Sequence, residues 1–295
     1  MRSPADRITT TIEHAALLDG VADRVAALTR RVLPQSKGRG LLSGKALGHP
    51  AHPGLVAVPM GTLISATALD LVGGPRARPA ARRLIGLGLL SAVPTAATGA
   101  SDWLDTEQAE RRVGLIHWGL NVVALALYGA SWTARGRDRQ RQATTLALAG
   151  VGVLGGSGWL GGHLAFALGV GVDTTAFVHM TPDWSDVGPA AELDAPGATL
   201  SGHAAGTAVL VVRTPQGLAA MADRCSHRGA PLHEGTIDAD CVVCPWHGSV
   251  FTLVDGSVAR GPATRPQPTF EVRTVKGRIE VRRPDEQSAL RTNPV

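Results

Sequence analysis

Four apolar stretches constrain this chain more than any other feature. Residues 54–73, 84–101, 113–133 and 145–172 each approach the ~20 residues that a helix needs to cross the hydrocarbon of a bilayer. Runs this long, with so few charges, exceed what a buried soluble bundle requires. They predict an all-α four-helix transmembrane bundle over residues 49–172. Gly74-Pro75 ends the first run, and "RGRDRQRQ" at 135–142 separates the third from the fourth. In the fourth, Gly152/Gly156 and Gly158/Gly162 have the small-xxx-small spacing that lets helices approach closely in lipid. Ahead of the runs, Leu18, Val21, Val25, Leu28 and Val32 recur at helical spacing. They predict one amphipathic helix over 8–33, inside an N-terminal segment 1–48. Such a helix either packs on its own protein or lies in the membrane interface. Glu13, Asp19, Asp23 and Arg24 interrupt it too often for a signal peptide.

Charge divides the chain. Residues 1–182 carry 18 Lys and Arg against 11 Asp and Glu, whereas 183–295 carry 11 against 13. The basic residues of the first half sit in short clusters between apolar runs. That is the pattern of membrane flanks and membrane lipid, not of a nucleic-acid face. The expected loops 74–83 and 134–144 hold Arg76, Arg78, Arg82, Arg83, Arg135, Arg137, Arg139 and Arg141. The loop between the second and third runs is acidic, with Asp102, Asp105, Glu107 and Glu110 against Arg111 and Arg112. The positive-inside rule makes the Arg-rich loops cytoplasmic and everything after the fourth helix extracytoplasmic. Lys37, Arg39 and Lys45, ahead of the first helix, oppose this orientation.

The same numbering gathers polar residues at the other end of the bundle. His49 and His52 precede the first helix, Asp102 ends the second, His117 and Asn121 open the third, and His163 lies late in the fourth. Ionisable groups in membrane segments are expensive and usually functional. Two facing histidines could ligate a haem b, a His with Asp102 could exchange protons with a quinone, and a divalent metal is a third option. Each His could equally be a helix-end residue bonded to backbone. "LLSGKALGHPAHPGLVAVPMGT", "SDWLDTEQAERRVGLIHWGLN" and "GGHLAFALGVGV" resemble a bacterial integral-membrane family of four helices with no assigned function, over roughly residues 40–175. The resemblance implies a multi-pass module of the bacterial plasma membrane.

The only cysteines are Cys225, Cys241 and Cys244, too few for a disulfide framework. Cys225-x-His227 and Cys244-x-x-His247 make a mixed ligand set that suits either zinc or a [2Fe–2S] cluster. The flanks favour the cluster. Gly229, Pro231, Pro245 and Gly248 allow tight loops with close backbone approach, and Ser249 adds a hydroxyl. "CSHRGAPL" and "CPWHGS", followed by "VFTLVDGSV", resemble the two loops and hairpin of the Rieske [2Fe–2S] family over roughly 184–283. That resemblance implies that Cys225 and Cys244 hold one iron and His227 and His247 the other. High-potential members of the family carry a disulfide between the loops and a Tyr near the second. Here Ala230, Trp246 and Phe251 stand at those places, which implies the ferredoxin type. The potential is then expected low in the Rieske range of about −150 to +300 mV.

Short strands bounded by turn residues, at 208–214, 217–223, 241–245, 249–253, 270–275 and 278–282, predict an all-β antiparallel domain over 191–284. A linker over 173–190 and a flexible tail over 285–295 frame it. Cys241 reads as a small apolar strand residue, and His233 as a surface residue near the loops. There is no dinucleotide fingerprint and no 2-His-1-carboxylate set after the motif pair. The expected role is a membrane-bound one-electron carrier, a component of an oxidoreductase system and not a complete enzyme. Its partner would be a quinone or another redox protein, such as a soluble oxygenase or reductase, and a redox-sensing role is the further alternative.

Overall fold

In a computed structural model, residues 4–33, 37–179 and 182–284 are described; the tail 285–295 lies outside them. The chain forms two compact units. The first comprises 1–36 and 50–170, the second 37–49 and 171–295. The segment expected to act as one piece over 1–48 is therefore divided, and His49 belongs to the second unit.

The first unit is built on four long helices: α4 (Ala51–Val72), α5 (Gly74–Trp103), α6 (Gln108–Arg135) and α7 (Gln140–Phe166). All four are long and apolar enough to cross a membrane, yet only 22–33% of their most apolar windows is buried. Leu90, Val93, Val122 and Val123 point outward instead. A helix set apolar on its outside is a bundle solvated by lipid. α4 packs closely on α5 and α6 on α7, with lighter contacts between the two hairpins. Leu63, Ala66, Ile85, Ala124, Tyr128, Ala147 and Leu154 fill the centre.

Three expectations need correction here. The first Arg-rich "loop" is helix: α5 starts at Gly74, one residue after α4's cap, with Pro75 in its first turn where no N–H is needed. α7 stops at Phe166, because Gly169 and Gly171 take positive φ and the Val170 N–H folds back to Leu164 O. The close-approach glycines of α7 are mainly others than those expected. A Cβ at Gly150 would lie 2.9 Å from Tyr128 and one at Gly161 3.1 Å from His117, whereas Gly152 has open space around it.

The N-terminal helix is broken in two, α1 (Pro4–Glu13) and α2 (Asp19–Val32), by a turn at Ala16–Leu18. Both pack on α6. Ala22 and Ala26 are the buried face of α2, while Val21, Leu28 and Val32 are exposed. The alanines fit because they bring the helix close, and charge then fastens it. Arg112 donates to both Asp19 oxygens at 2.6 and 2.7 Å and to Glu13 O at 2.6 Å, and Arg111 reaches Asp23 at 3.2 Å.

Among the described residues, the second unit opens with α3 (Lys37–Ser43) and continues with ten strands in two antiparallel sheets. β1 (Ser185–Pro189), β10 (Arg278–Arg282), β9 (Thr269–Val275), β4 (Gly217–Ala222), β3 (Thr207–Thr214) and β2 (Thr199–Ala204) form the larger, in that order. β5 (Thr236–Asp238), β6 (Cys241–Val243), β7 (Val250–Thr252) and β8 (Val258–Arg260) form the smaller. Part of the expected linker is thus a strand, since β1 pairs with β10. β1 and β2 escape the hydrophobic pattern because Gly, Pro, Ser and His interrupt it. Leu200, Val209, Val211, Ala222, Ile279 and Val281 make one core; Leu210, Met221, Leu232, Val242, Phe251 and Leu253 make another beneath the Cys/His loops.

Candidate metal centre

Two loops, one between β4 and β5 and one between β6 and β7, are built alike. In the first, the Cys225 N–H donates to Ala230 O and the Gly229 N–H donates back to Cys225 O, both at 2.8 Å. In the second, the Cys244 N–H donates to Ser249 O at 2.8 Å and the Gly248 N–H to Cys244 O at 3.1 Å. Each loop turns at a glycine in the left-handed region, Gly229 at φ 78° and Gly248 at φ 67°. A side chain there would be strained, which is why both motifs need Gly four residues after Cys.

This geometry brings the four expected ligands together. Cys225 and Cys244 are buried and share a hydrogen bond. The His227 and His247 rings meet edge to face, with centroids 5.1 Å apart. Their Nδ1 atoms are shut off from solvent and make no hydrogen bond to protein, while both residues have other contacts. The Cys244 thiol is drawn down to about 6, first by the bond from Cys225, against an opposing push from burial; the His247 and Trp246 N–H groups add to it. Cys225, the donor, is pushed up by that same bond, then by burial and the charge of Cys244; the His227 and Arg228 N–H groups oppose this. Burial, then the charges of His247, Arg228 and Arg39, holds His227 down to about 3. A neutral imidazole is the form that binds metal. Two thiols, two imidazoles, one of them held neutral, and backbone donors aimed at sulfur fit an iron–sulfur cluster.

The loop surroundings hold this arrangement. Pro231 bridges to Arg224 and Leu232 packs beneath. The Ser249 hydroxyl accepts from the Ala263 N–H at 2.9 Å, tying the second loop to the segment after β8. Gln267, fully buried, was not anticipated: its Oε1 accepts from the Ser226 N–H at 3.0 Å, and its Nε2 donates to Ala222 O and Arg224 O. Nothing local in sequence marks it. Asp223 was missed for the same reason; it accepts from the His233 N–H at 2.7 Å and pins the His233 ring. Thr174 donates to Cys225 O at 2.6 Å. Phe251 lies in the core, Pro245 and Trp246 are exposed, and Cys241 sits on β6, its thiol pushed up by burial and then by Asp238 and Asp240.

The membrane histidines do not form a matching set. His52 Nδ1 donates to Thr95 O at 3.0 Å on α5. His117 Nδ1 donates to Ser157 O at 2.8 Å on α7, and its Nε2 accepts from Asn121 at 3.2 Å. Both ring nitrogens of His117 thus have protein partners. His163 Nε2 meets Glu13 at 2.7 Å. Asp102 is half-buried at the end of α5. The least expected polar group lies elsewhere: Asp70 and Arg135, both almost wholly buried, form an ion pair that Gln140 joins at 3.2 Å. In the sequence Arg135 reads only as part of a basic loop.

Comparison with known proteins divides the chain in the same order. Residues 48–174 match the family described as Predicted membrane protein (DUF2231), and 183–271 match the Rieske [2Fe-2S] domain. Ferredoxin CarAc of Metapseudomonas resinovorans is 36% identical over 103 residues, spanning 35% of this chain and 95% of its own. The anthranilate 1,2-dioxygenase ferredoxin subunit of Burkholderia cepacia is 34% identical over 101 residues, 34% of this chain and 91% of its own. Among solved structures, the ferredoxin of carbazole 1,9a-dioxygenase from Nocardioides aromaticivorans IC177 is 27% identical. It covers 35% of this chain and 99% of that one, with a TM-score of 0.32.

Proposed function

This chain belongs to the Rieske [2Fe–2S] family, and on that premise we propose that it is a ferredoxin held at the membrane by its own four-helix domain. Cys225, His227, Cys244 and His247 hold the cluster. The observation that carries this reading is the matched pair of loops, which turns two thiols and two imidazoles toward one another over a common core. When bound, the cluster supplies a reversible one-electron couple. The protein's part is to keep His227 neutral, aim backbone N–H groups at the sulfurs and hold the loops rigid through Ser249, Gln267 and Thr174. Ala230 and Phe251 supply neither a disulfide nor a hydroxyl, so the potential lies low in the Rieske range.

The relatives named for dioxygenase systems are ferredoxin subunits. The corresponding partner here is a soluble oxygenase or reductase that exchanges electrons with a membrane-held carrier. The arginines of α5's first turns and of 137–141 support, by the positive-inside rule, a cytoplasmic position for those ends and an outside position for the cluster, against Lys37, Arg39 and Lys45 ahead of α4. Reporter fusions after residue 284 and within 136–139 test that orientation. The cluster itself is tested on purified full-length protein in detergent. Two iron and two acid-labile sulfides per chain, with a Rieske-type EPR signal on dithionite reduction, are expected. One zinc and no sulfide would overturn the reading.

A further inference from the structure

A helix packed on its own protein in water needs one apolar face, and α2 has two. Ala22 and Ala26 make the first, which is wholly buried. At about 100° per residue, Val21, Leu28 and Val32 fall within about 40° of one another, and about 120° round from the alanines. Those three and Leu17, one turn ahead, are 51–83% exposed. The remaining arc, with Gly20, Arg24, Ala27 and Arg31, is exposed and holds no large apolar side chain. Single exposed apolar residues are ordinary on a surface. Leu17, Val21, Leu28 and Val32 stand at spacings of four, seven and four, which makes one continuous stripe.

The level at which α2 is held follows from α6. Between Arg112 and Arg135 that helix carries no charged residue. The span is ~35 Å at about 1.5 Å of rise per residue, against ~30 Å of hydrocarbon in a bilayer. With α6 across a membrane, Arg112 therefore stands at the edge of the acyl chains. α2 is fastened there: Arg112 binds Asp19 and Glu13 O, and Arg111 binds Asp23. The Glu13 side chain meets His163, three residues before the end of α7. The corner between α1 and α2 is thus clasped to the same end of both membrane helices. Trp118 and Trp159, both exposed, stand ~10 Å further in along α6 and α7. Tryptophan concentrates at the membrane boundary, and below it the exposed Val122 and Val123 belong to the surface solvated by lipid.

We propose that α2 is an interfacial helix, with the stripe Leu17, Val21, Leu28 and Val32 sunk into the boundary between lipid headgroups and acyl chains. Two observations make lipid the occupant. The stripe is held at the level where the lipid-facing surface of α6 begins. Arg24 and Arg31 border it on the side away from the alanines, where a long basic side chain lays its stem on the apolar surface and carries its charge to the headgroups. The clasp by Arg111 and Arg112 uses the carboxylates of Asp19 and Asp23, so that α2's acidic groups face the protein and not the lipid. The proposal rests on the reading of α4–α7 as membrane-spanning.

Fluorescence quenching on the full chain tests it, in phosphatidylcholine nanodiscs holding one chain each. On a Cys241→Ala background, with Cys225 and Cys244 buried, an NBD label is placed on Val21→Cys, Leu28→Cys, Val32→Cys, Ala27→Cys, Arg31→Cys or Val123→Cys. Aqueous iodide is expected to quench the Ala27 and Arg31 labels several-fold more strongly than the Val21, Leu28 and Val32 labels. Phosphatidylcholine with a doxyl group high on its acyl chain is expected to do the reverse. Equal iodide quenching on both faces overturns the proposal. Stripe labels shielded from both quenchers also overturn it, because protein then covers the stripe. The same shielding seen only in discs holding two chains overturns it in favour of a second copy. The Val123 label reports on the membrane reading separately. Failure of a doxyl group deep in the acyl chain to quench it would refute that reading, whatever the α2 labels show.

Discussion

Histidines in the two units meet different fates, and the difference shows what makes a ligand. In the bundle, His52 and His117 each donate Nδ1 to a helix carbonyl, His117 Nε2 accepts from Asn121, and His163 meets Glu13. Lipid offers no hydrogen bonds, so a polar side chain there is stable only when its neighbours satisfy it. In the loops, His227 and His247 are carried on tight, glycine-dependent turns that aim them at each other beside two thiols. A polar group in a membrane segment is thus not a functional site until its bonds have been counted.

Four experiments break or sharpen that contrast. The largest effect belongs to Cys244→Ser, which should abolish the EPR signal while leaving the helical circular dichroism of the membrane domain unchanged. Loss of helix as well would show that the two units are not independent. Next is Asp70→Asn, which strands the buried Arg135 and should cost about 3–5 kcal/mol of bundle stability. Denaturant titration in detergent would read it, with the cluster signal as an internal control. His117→Ala removes the bond to Ser157 and leaves its partner buried, costing about 1–3 kcal/mol. It should shift neither the cluster potential nor any absorbance in the haem region; a shift in either would support a cofactor role for the bundle. The smallest is Gly248→Ala. Its positive φ costs an L-residue about 1–2 kcal/mol, and cluster loading at moderate temperature should fall without changing the spectrum of what loads.

Much of this was legible beforehand because the signals are local. Four apolar runs located four helices, with α7 overextended because glycines that stop a helix resemble glycines that pack one. The two Cys/His motifs located both loops, since each loop closes on itself within six residues. Gln267 was invisible because it acts 41 residues away in the chain, and Asp223 because nothing at its position marks its bond to His233, ten residues on. The Asp70–Arg135 pair was hidden for the same reason, 65 residues apart.

By itself, then, the sequence determined two things: that the first part of the chain holds four runs long and apolar enough to cross a membrane, and that the second part presents a mixed Cys/His ligand set. Tertiary structure decided which polar residues satisfy one another and that residues 37–49 fold with the second unit. Those outcomes depend on distance in space between groups distant in sequence, and periodicity and spacing along the chain carry no record of that distance.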